Sequence, residues 1–330
     1  MMKAPKFWKR GSRMHIPRLL SPFAFFYHGI TILRGFCSNP KSINVPVICV
    51  GNIVVGGAGK TPTAIAISKL LSEKGENPYF LCRGYGGSLK GPVRVDTKIH
   101  NSKSVGDEAL LLALRAPTWV SRNRLAGAIE ASHDGASIII MDDGHQNQTI
   151  KKDLSLIVID NEFGFGNYKL LPAGPLRETL KGGISRADAA VLIGSEEFHD
   201  QKMLSNKNVP LIHAEFVPDL AAHQLRDKAV VAFAGIGWPE KFFNTLRSLE
   251  CHLLNTYSFP DHHQYTPNEI MTLVEKAAEL NADLVTTEKD WMRLDIDSRS
   301  MVKVVSGEIK WQQTKELESI LTPVLELGRK

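Results

Sequence analysis

Lys60 and Thr61 close a glycine-rich run, GNIVVGGAGKTP, at residues 51–62. A lysine followed by a hydroxyl residue after several glycines is the order that grips a nucleoside triphosphate. Backbone N–H groups cradle the phosphates, the lysine reaches the β- and γ-phosphates, and the hydroxyl meets Mg²⁺. Gly56, Gly57, Ala58 and Gly59 make the loop, and its three glycines let the backbone approach a ligand closely. The strict G-x-x-x-x-G-K-[ST] pattern is missed by one residue, since Val54 stands where it requires glycine.

Acidic groups that could serve such a loop lie further along. SIIIMDDGHQ ends an apolar run in Asp142 and Asp143, and an aspartate at a strand end holds the magnesium in many nucleotide-binding enzymes. Neighbouring side chains on a strand point to opposite faces, so one of the pair belongs to the turn. SVGDEALLLALR puts Asp107 and Glu108 in the first turn of a helix that Ser104 could cap. Acids there stabilise the helix dipole without further duty, or one of them is a base; the segment alone fits both readings. In FPDHHQY, His262 and His263 follow Asp261. Adjacent histidines diverge in an extended segment, which argues against a shared metal. PAGPLRE is a rigid turn ending in Arg177 and Glu178, and RGYGG at 83–87 is a flexible basic turn. Both fall where loops carry ligands in doubly wound sheets, although each by itself is an ordinary loop.

The elements that must position these groups can be read from apolar runs. Strands are expected at 45–50, 78–83, 117–120, 137–142, 154–160 and 189–194, with helices at 60–74, 106–115 and 122–133. Such alternation predicts an α/β fold: a mostly parallel sheet of the P-loop type covered on both faces. A second series follows, with a strand from about 228, helices at 239–249 and 267–280, and a strand at 283–287, enough for a smaller α/β domain. The expected division is 1–40, a basic and apolar segment; 41–224, the nucleotide-binding and catalytic domain; and 225–330, the smaller domain.

Charge narrows the function. The chain has 330 residues, 43% of them hydrophobic, and a formal charge of +5. Eight basic and no acidic residues lie in 1–50, leaving 32 basic against 35 acidic in the remainder. The body thus lacks the positive field of a nucleic-acid binder. Cys37, Cys49, Cys82 and Cys251 have no metal or redox spacing and fit a reducing compartment.

Lys3, Lys6, Lys9, Arg10, Arg13 and Arg18 precede an apolar stretch from Leu19 to Leu33. Ser21 and Pro22 read as a helix start and Gly35 as its stop, which gives ~20 Å of helix, short of a bilayer core of about 30 Å. His28, Thr31 and Arg34 make a narrow polar stripe beside Phe23, Phe25, Phe26, Ile30 and Leu33. The pattern fits an anchor in one leaflet, with a basic flank for anionic lipid, and fits equally a packed helix with a solvated tail.

GNIVVGGAGKTP, RGYGG, VGDEALLLA, DDGHQN, LPAGPLRE, FPDHHQY and TTEKDWMRL, in this order over residues 51–294, resemble the tetraacyldisaccharide 4'-kinase family of Gram-negative bacteria. The resemblance implies transfer of the ATP γ-phosphate to the 4'-hydroxyl of tetraacyldisaccharide 1-phosphate in lipid A biosynthesis. It further implies ATP and Mg²⁺ as cofactors, the cytoplasmic face of the inner membrane as the place, a membrane-associated N-terminal helix, and no required protein partner. Carried over by motif, Lys60 and Thr61 serve nucleotide and metal, and Asp142 and Asp143 help hold the metal. Asp107 is the base assisted by His262, with Glu108, Asp261, Arg177 and Glu178 as site neighbours. Ala58, His145 and Asn147 depart from residues frequent in the family, which puts any contact by those side chains in doubt. Two other classes compete: a membrane-associated P-loop NTPase that switches conformation and transfers phosphate only to water, and a non-catalytic nucleotide-binding scaffold. The acceptor separates the first, and the acidic groups weigh against the second.

Overall fold

A computed structural model describes residues 5–12, 15–36, 39–194, 198–205 and 207–328. Lys3, Arg13 and Cys37, named above, lie outside the described residues. Among the described residues, thirteen strands form two sheets. They are β1 (Val47–Gly51), β2 (Pro78–Cys82), β3 (Val93–Arg94), β4 (Thr118–Val120), β5 (Ile138–Asp142), β6 (Leu154–Asp160) and β7 (Ala189–Ile193). The remainder are β8 (Leu211–Pro218), β9 (Ala229–Ala234), β10 (His252–Ser258), β11 (Asp283–Thr287), β12 (Lys303–Val305) and β13 (Gly307–Trp311).

The larger sheet runs β13-β8-β7-β6-β1-β5-β2-β4-β3. It is parallel except at its two edges, where β3 and β13 pair antiparallel. β1, β2, β5, β6 and β7 are buried at every residue, as befits parallel strands covered on both faces. On one face Ile67 and Leu71 of the helix Lys60–Glu73 pack with Ile48, Phe80 and Ile140. On the other, Ala128 and Ala131 of the helix Arg124–His133 pack with Val47, Leu81 and Ile139. Val50 is in register with Asp142, so the end of β1, where the phosphate loop begins, lies beside the acidic end of β5.

The smaller sheet, β10-β9-β11-β12, is wholly parallel. Helices Pro239–Ser248 and Pro267–Glu279 cover it through Phe243 and Leu246 on one side and Ile270 and Leu273 on the other. The chain does not end there. β13 pairs with β8, and Leu317, Leu321 and Val324 of the helix Thr314–Gly328 join the core of the larger sheet. The final residues of the expected 225–330 unit therefore belong with the first sheet. β8 and β13 are half-buried strands with mixed residues, so they lack the apolar runs that reveal the central strands.

The N-terminal helix also differs from expectation. It spans His15–Phe36 and passes through Pro22 instead of starting there. Pro17 sits in the first turn, where a missing N–H costs no intrahelical bond. Phe23, Phe25 and Phe26 are exposed, while Ala24 is buried. No helix among the described residues is long and apolar enough to cross a membrane.

Candidate active site

The phosphate loop leaves β1 and enters the helix at Lys60. Gly59 caps that helix with φ 88°, a left-handed conformation that favours glycine, and no side chain occupies the helix start. Its first N–H groups and its dipole are free for an anion. Gly56, Gly57, Ala58, Gly59, Lys60 and Thr61 all line one cavity of about 1220 Å³.

The acidic pair faces this loop. Asp142 is the last residue of β5, and Asp143 follows with φ 54°, a left-handed turn that redirects its carboxylate. Thr61 Oγ1 donates to Asp142 Oδ2 at 2.8 Å. Lys60 Nζ lies 3.8 Å from Asp143 Oδ1, and Arg177 donates to both Asp143 oxygens at 2.8 and 3.0 Å. Burial and the Glu108 carboxylate push Asp142 up to about 7. Asp143 goes the other way: although burial opposes it, Lys60 and Arg177 hold it down to about 2.

Asp142 Oδ1 is buried with no hydrogen-bond partner. A buried carboxylate oxygen left over beside a threonine hydroxyl and a phosphate loop fits a divalent cation. Among the described residues no group of three or more His, Cys, Asp or Glu could hold a metal. Thr61 and Asp142 beside the phosphate loop would suit Mg²⁺, which takes one or two protein ligands and completes its shell from phosphates and water.

Opposite these groups, the two sheets meet. Gly106 (φ 90°) joins two short helices, and a Cβ there would lie 2.3 Å from Tyr85 O in the RGYGG loop. The tight turn starts the helix Asp107–Ala113 with its two acids. His262, also in a left-handed conformation (φ 59°), follows the end of β10 and places Nδ1 at 3.1 and 3.0 Å from Asp107 Oδ1 and Oδ2. Arg293 Nε reaches Asp107 Oδ2 at 2.9 Å. Asp107 is only 3% exposed; burial would raise its pKa, but His262, Lys289 and Arg293 keep it well below the usual carboxylate range. His262, Glu108 and Asp261 line the same cavity as Lys60 and Thr61, whereas Asp107 lies behind His262. A side chain at Gly237, in the loop after β9, would sit 3.5 Å from Gly57 N, so the smaller sheet's loops close over the phosphate loop.

Other expected residues have different surroundings. Glu178 is buried outside the cavity lining, accepting from Arg186 Nη2 at 2.5 Å and Gln146 Nε2 at 2.9 Å, so it braces the loop that carries Arg177. His145 is buried against Ser155 Oγ at 3.1 Å and Gly183 O at 2.9 Å, and burial lowers it to about 4. His263 turns away from its neighbour: it meets Glu269 at 3.1 Å and stacks on Phe259.

Lys289 and Arg293 stand four positions apart in TTEKDWMRL after the Thr287 cap, but the helix ends at Trp291, so Arg293 falls in the turn behind it and no local pattern marks either as part of the site. Gln146 is equally unmarked in the sequence: it donates to Asn52 O at 2.8 Å and so ties the acidic turn to the phosphate loop.

The chain is similar to several known proteins. The family model described as "LpxK: Tetraacyldisaccharide-1-P 4'-kinase" matches residues 16–326. A protein named tetraacyldisaccharide 4'-kinase from Paramagnetospirillum magneticum is 47% identical over 326 residues, covering 98% of each chain. One of the same name from Rhodospirillum centenum is 44% identical over 328 residues, 98% of this chain and 97% of its own. The crystal structure of LpxK from Aquifex aeolicus in complex with ATP superposes with a TM-score of 0.73 at 28% identity, over 94% of this chain and 99% of that one. The mixed α/β fold with its large, mostly parallel sheet is thus shared, and the chain belongs to the tetraacyldisaccharide 4'-kinase family.

Proposed function

We propose that this cavity carries out the family reaction, transfer of the γ-phosphate of ATP to the 4'-hydroxyl of tetraacyldisaccharide 1-phosphate, with the residues in the following roles. The phosphate-loop amides, Lys60 and Arg177 neutralise and orient the phosphates, which supplies most of the rate in a reaction with a loose transition state. Thr61 and Asp142 would hold Mg²⁺, with Asp143 behind them. When bound, the ion neutralises charge on the transferred phosphoryl group.

The acceptor hydroxyl loses its proton as the oxygen–phosphorus bond forms and the bond from phosphorus to the ADP oxygen breaks. His262 Nε2 takes that proton. Asp107 accepts from Nδ1, orients the ring and stabilises its positive charge. This reverses the division of labour expected from motif alone, because Asp107 is enclosed and its oxygens are engaged by His262 and Arg293. The observation that carries the reading is that His262 and the phosphate loop open on one cavity. A switch that hydrolyses ATP has no need of an acceptor-side dyad on the facing lobe.

The exposed Phe23, Phe25 and Phe26, with basic residues before them, support attachment to an anionic bilayer surface, the cytoplasmic face of the inner membrane. Tyr27 lines the same cavity, which supports entry of a lipid substrate beside this helix. The two sheets act as a nucleotide-binding part and a smaller lobe that completes the site. The test is ATP-dependent phosphorylation of tetraacyldisaccharide 1-phosphate in detergent micelles. ATP loss without phosphorylated lipid would reject lipid transfer in favour of the switch.

A further inference from the structure

Lys289 lines the cavity on the short helix Glu288–Trp291, which follows β11. It crosses to the other lobe, where Nζ donates to Glu108 Oε1 at 3.0 Å. The same Nζ is 3.5 Å from His262 Nε2 and 4.0 Å from Asp261 Oδ1. An ammonium group has only hydrogens to offer. Nε2 therefore presents its lone pair to Lys289, and the ring proton belongs on Nδ1, against Asp107. The carboxylate and the lysine specify one tautomer from opposite ends of the ring.

The charged environment of the ring can be enumerated element by element. Asp107 and Glu108 face it from one helix, Lys289 and Arg293 from the segment after β11, and Asp261 from its own loop. The Tyr85 ring packs beside it at 4.9 Å. Lys289 stays protonated in this setting: burial would lower its pKa, but Glu108, Asp107 and Asp261 outweigh burial and raise it above the usual value.

We propose that Lys289, anchored by Glu108, is a positioning residue for phosphoryl transfer: it fixes His262 as the Nδ1–H tautomer. That nitrogen then remains open to the acceptor's proton. A contact of 3.5 Å is at the long limit of hydrogen bonding, so an arriving hydroxyl exchanges with it at little cost. The inference rests on the reading of His262 as proton acceptor.

The test uses full-length protein labelled with ¹⁵N-histidine, without nucleotide, metal or lipid, with His262→Gln to assign the ring signals. Wild type is expected to show the Nδ1–H form at neutral pH. In Lys289→Met an Nε2–H signal is expected to appear beside the Nδ1–H one, and Lys289→Arg restores the single form. In kinase assays kcat falls with the loss of the Nδ1–H form, while KM for ATP changes by less than about threefold. Should Lys289→Met not fold, Glu108→Gln releases the lysine's anchor and is expected to give the same mixture of tautomers. An Nε2–H tautomer in wild type overturns the proposal, as does an unchanged Nδ1–H form in the folded variant. A lysine-dependent tautomer in a protein that does not phosphorylate the lipid would instead overturn His262 as acceptor.

Discussion

Asp107 Oδ2 and His262 Nδ1 are 3.0 Å apart although 155 positions separate the residues in sequence. One stands at the start of a helix packed on the larger sheet, the other in a loop of the smaller one, so the pair exists only when the lobes meet. Asp107→Asn keeps the shape and removes the charge that orients and stabilises the ring. It is expected to lower kcat about 10²- to 10³-fold, with KM for both substrates little altered. Wild-type kcat in this variant would remove Asp107 from the mechanism.

Lys60→Ala is expected to be more damaging than Asp107→Ala, lowering kcat/KM by more than about 10³-fold. In the proposed mechanism the lysine would act on charge developing at the phosphates, whereas the base would assist one proton. Steady-state kinetics of the two variants under one set of conditions decide the order.

Asp142 gives a pH-dependent prediction for stability. Its folded pKa, about 7, lies above the ordinary value of 3.8. The folded state therefore binds more protons than the unfolded chain between those values, and its stability falls as pH rises through that window. In metal-free protein, Asp142→Asn should raise the melting temperature at pH 8 and lose that advantage near pH 4, while abolishing kinase activity. Parallel melting curves for wild type and variant that do not converge toward low pH would contradict this.

Arg293 has a wholly buried side chain that bonds Asp107, Asp290, Gly235 O and His263 O. Arg293→Met leaves two buried carboxylates short of a counter-charge and should cost ~3–5 kcal/mol of stability. Urea denaturation would measure it, and a loss below about 1 kcal/mol would show the cluster to be readily rehydrated.

Replacing Phe23, Phe25 and Phe26 together by serine removes exposed apolar surface without opening the core. Co-sedimentation with anionic vesicles should fall markedly, with ATP affinity unchanged. Retained vesicle binding would place membrane contact elsewhere.

The phosphate loop was legible because its chemistry is contiguous: strand, glycines, Lys60, Thr61 and helix follow one another. The central strands were legible for a similar reason, being apolar throughout. Asp107 and His262 could each be noticed, yet no local pattern states that they touch, and burial, visible only after folding, decides which of them meets the cavity. Lys289 and Arg293 look like ordinary surface cations in sequence, and only folding shows that the Arg293 side chain is buried. The edge strand β13 and its neighbour β8 lack an apolar run because they are only half covered. The turn at Asp143 was expected in outline, but its φ of 54° is what aims that carboxylate at Lys60 and Arg177.

The return of β13 to β8 has a modular meaning. Gly307 pairs with Pro218, and Asp219 N donates to Ser306 O at 3.1 Å, so the chain leaves and re-enters the large sheet at adjacent points. The smaller lobe is an insertion between two neighbouring strands of one hairpin. A short turn spliced between β8 and β13 would delete His262, Lys289 and Arg293 while leaving Lys60, Thr61 and Asp142 in the large-sheet part of the chain. On the proposed reading, the hairpin that belongs with the nucleotide-side groups also brackets the segment that brings His262 to Asp107.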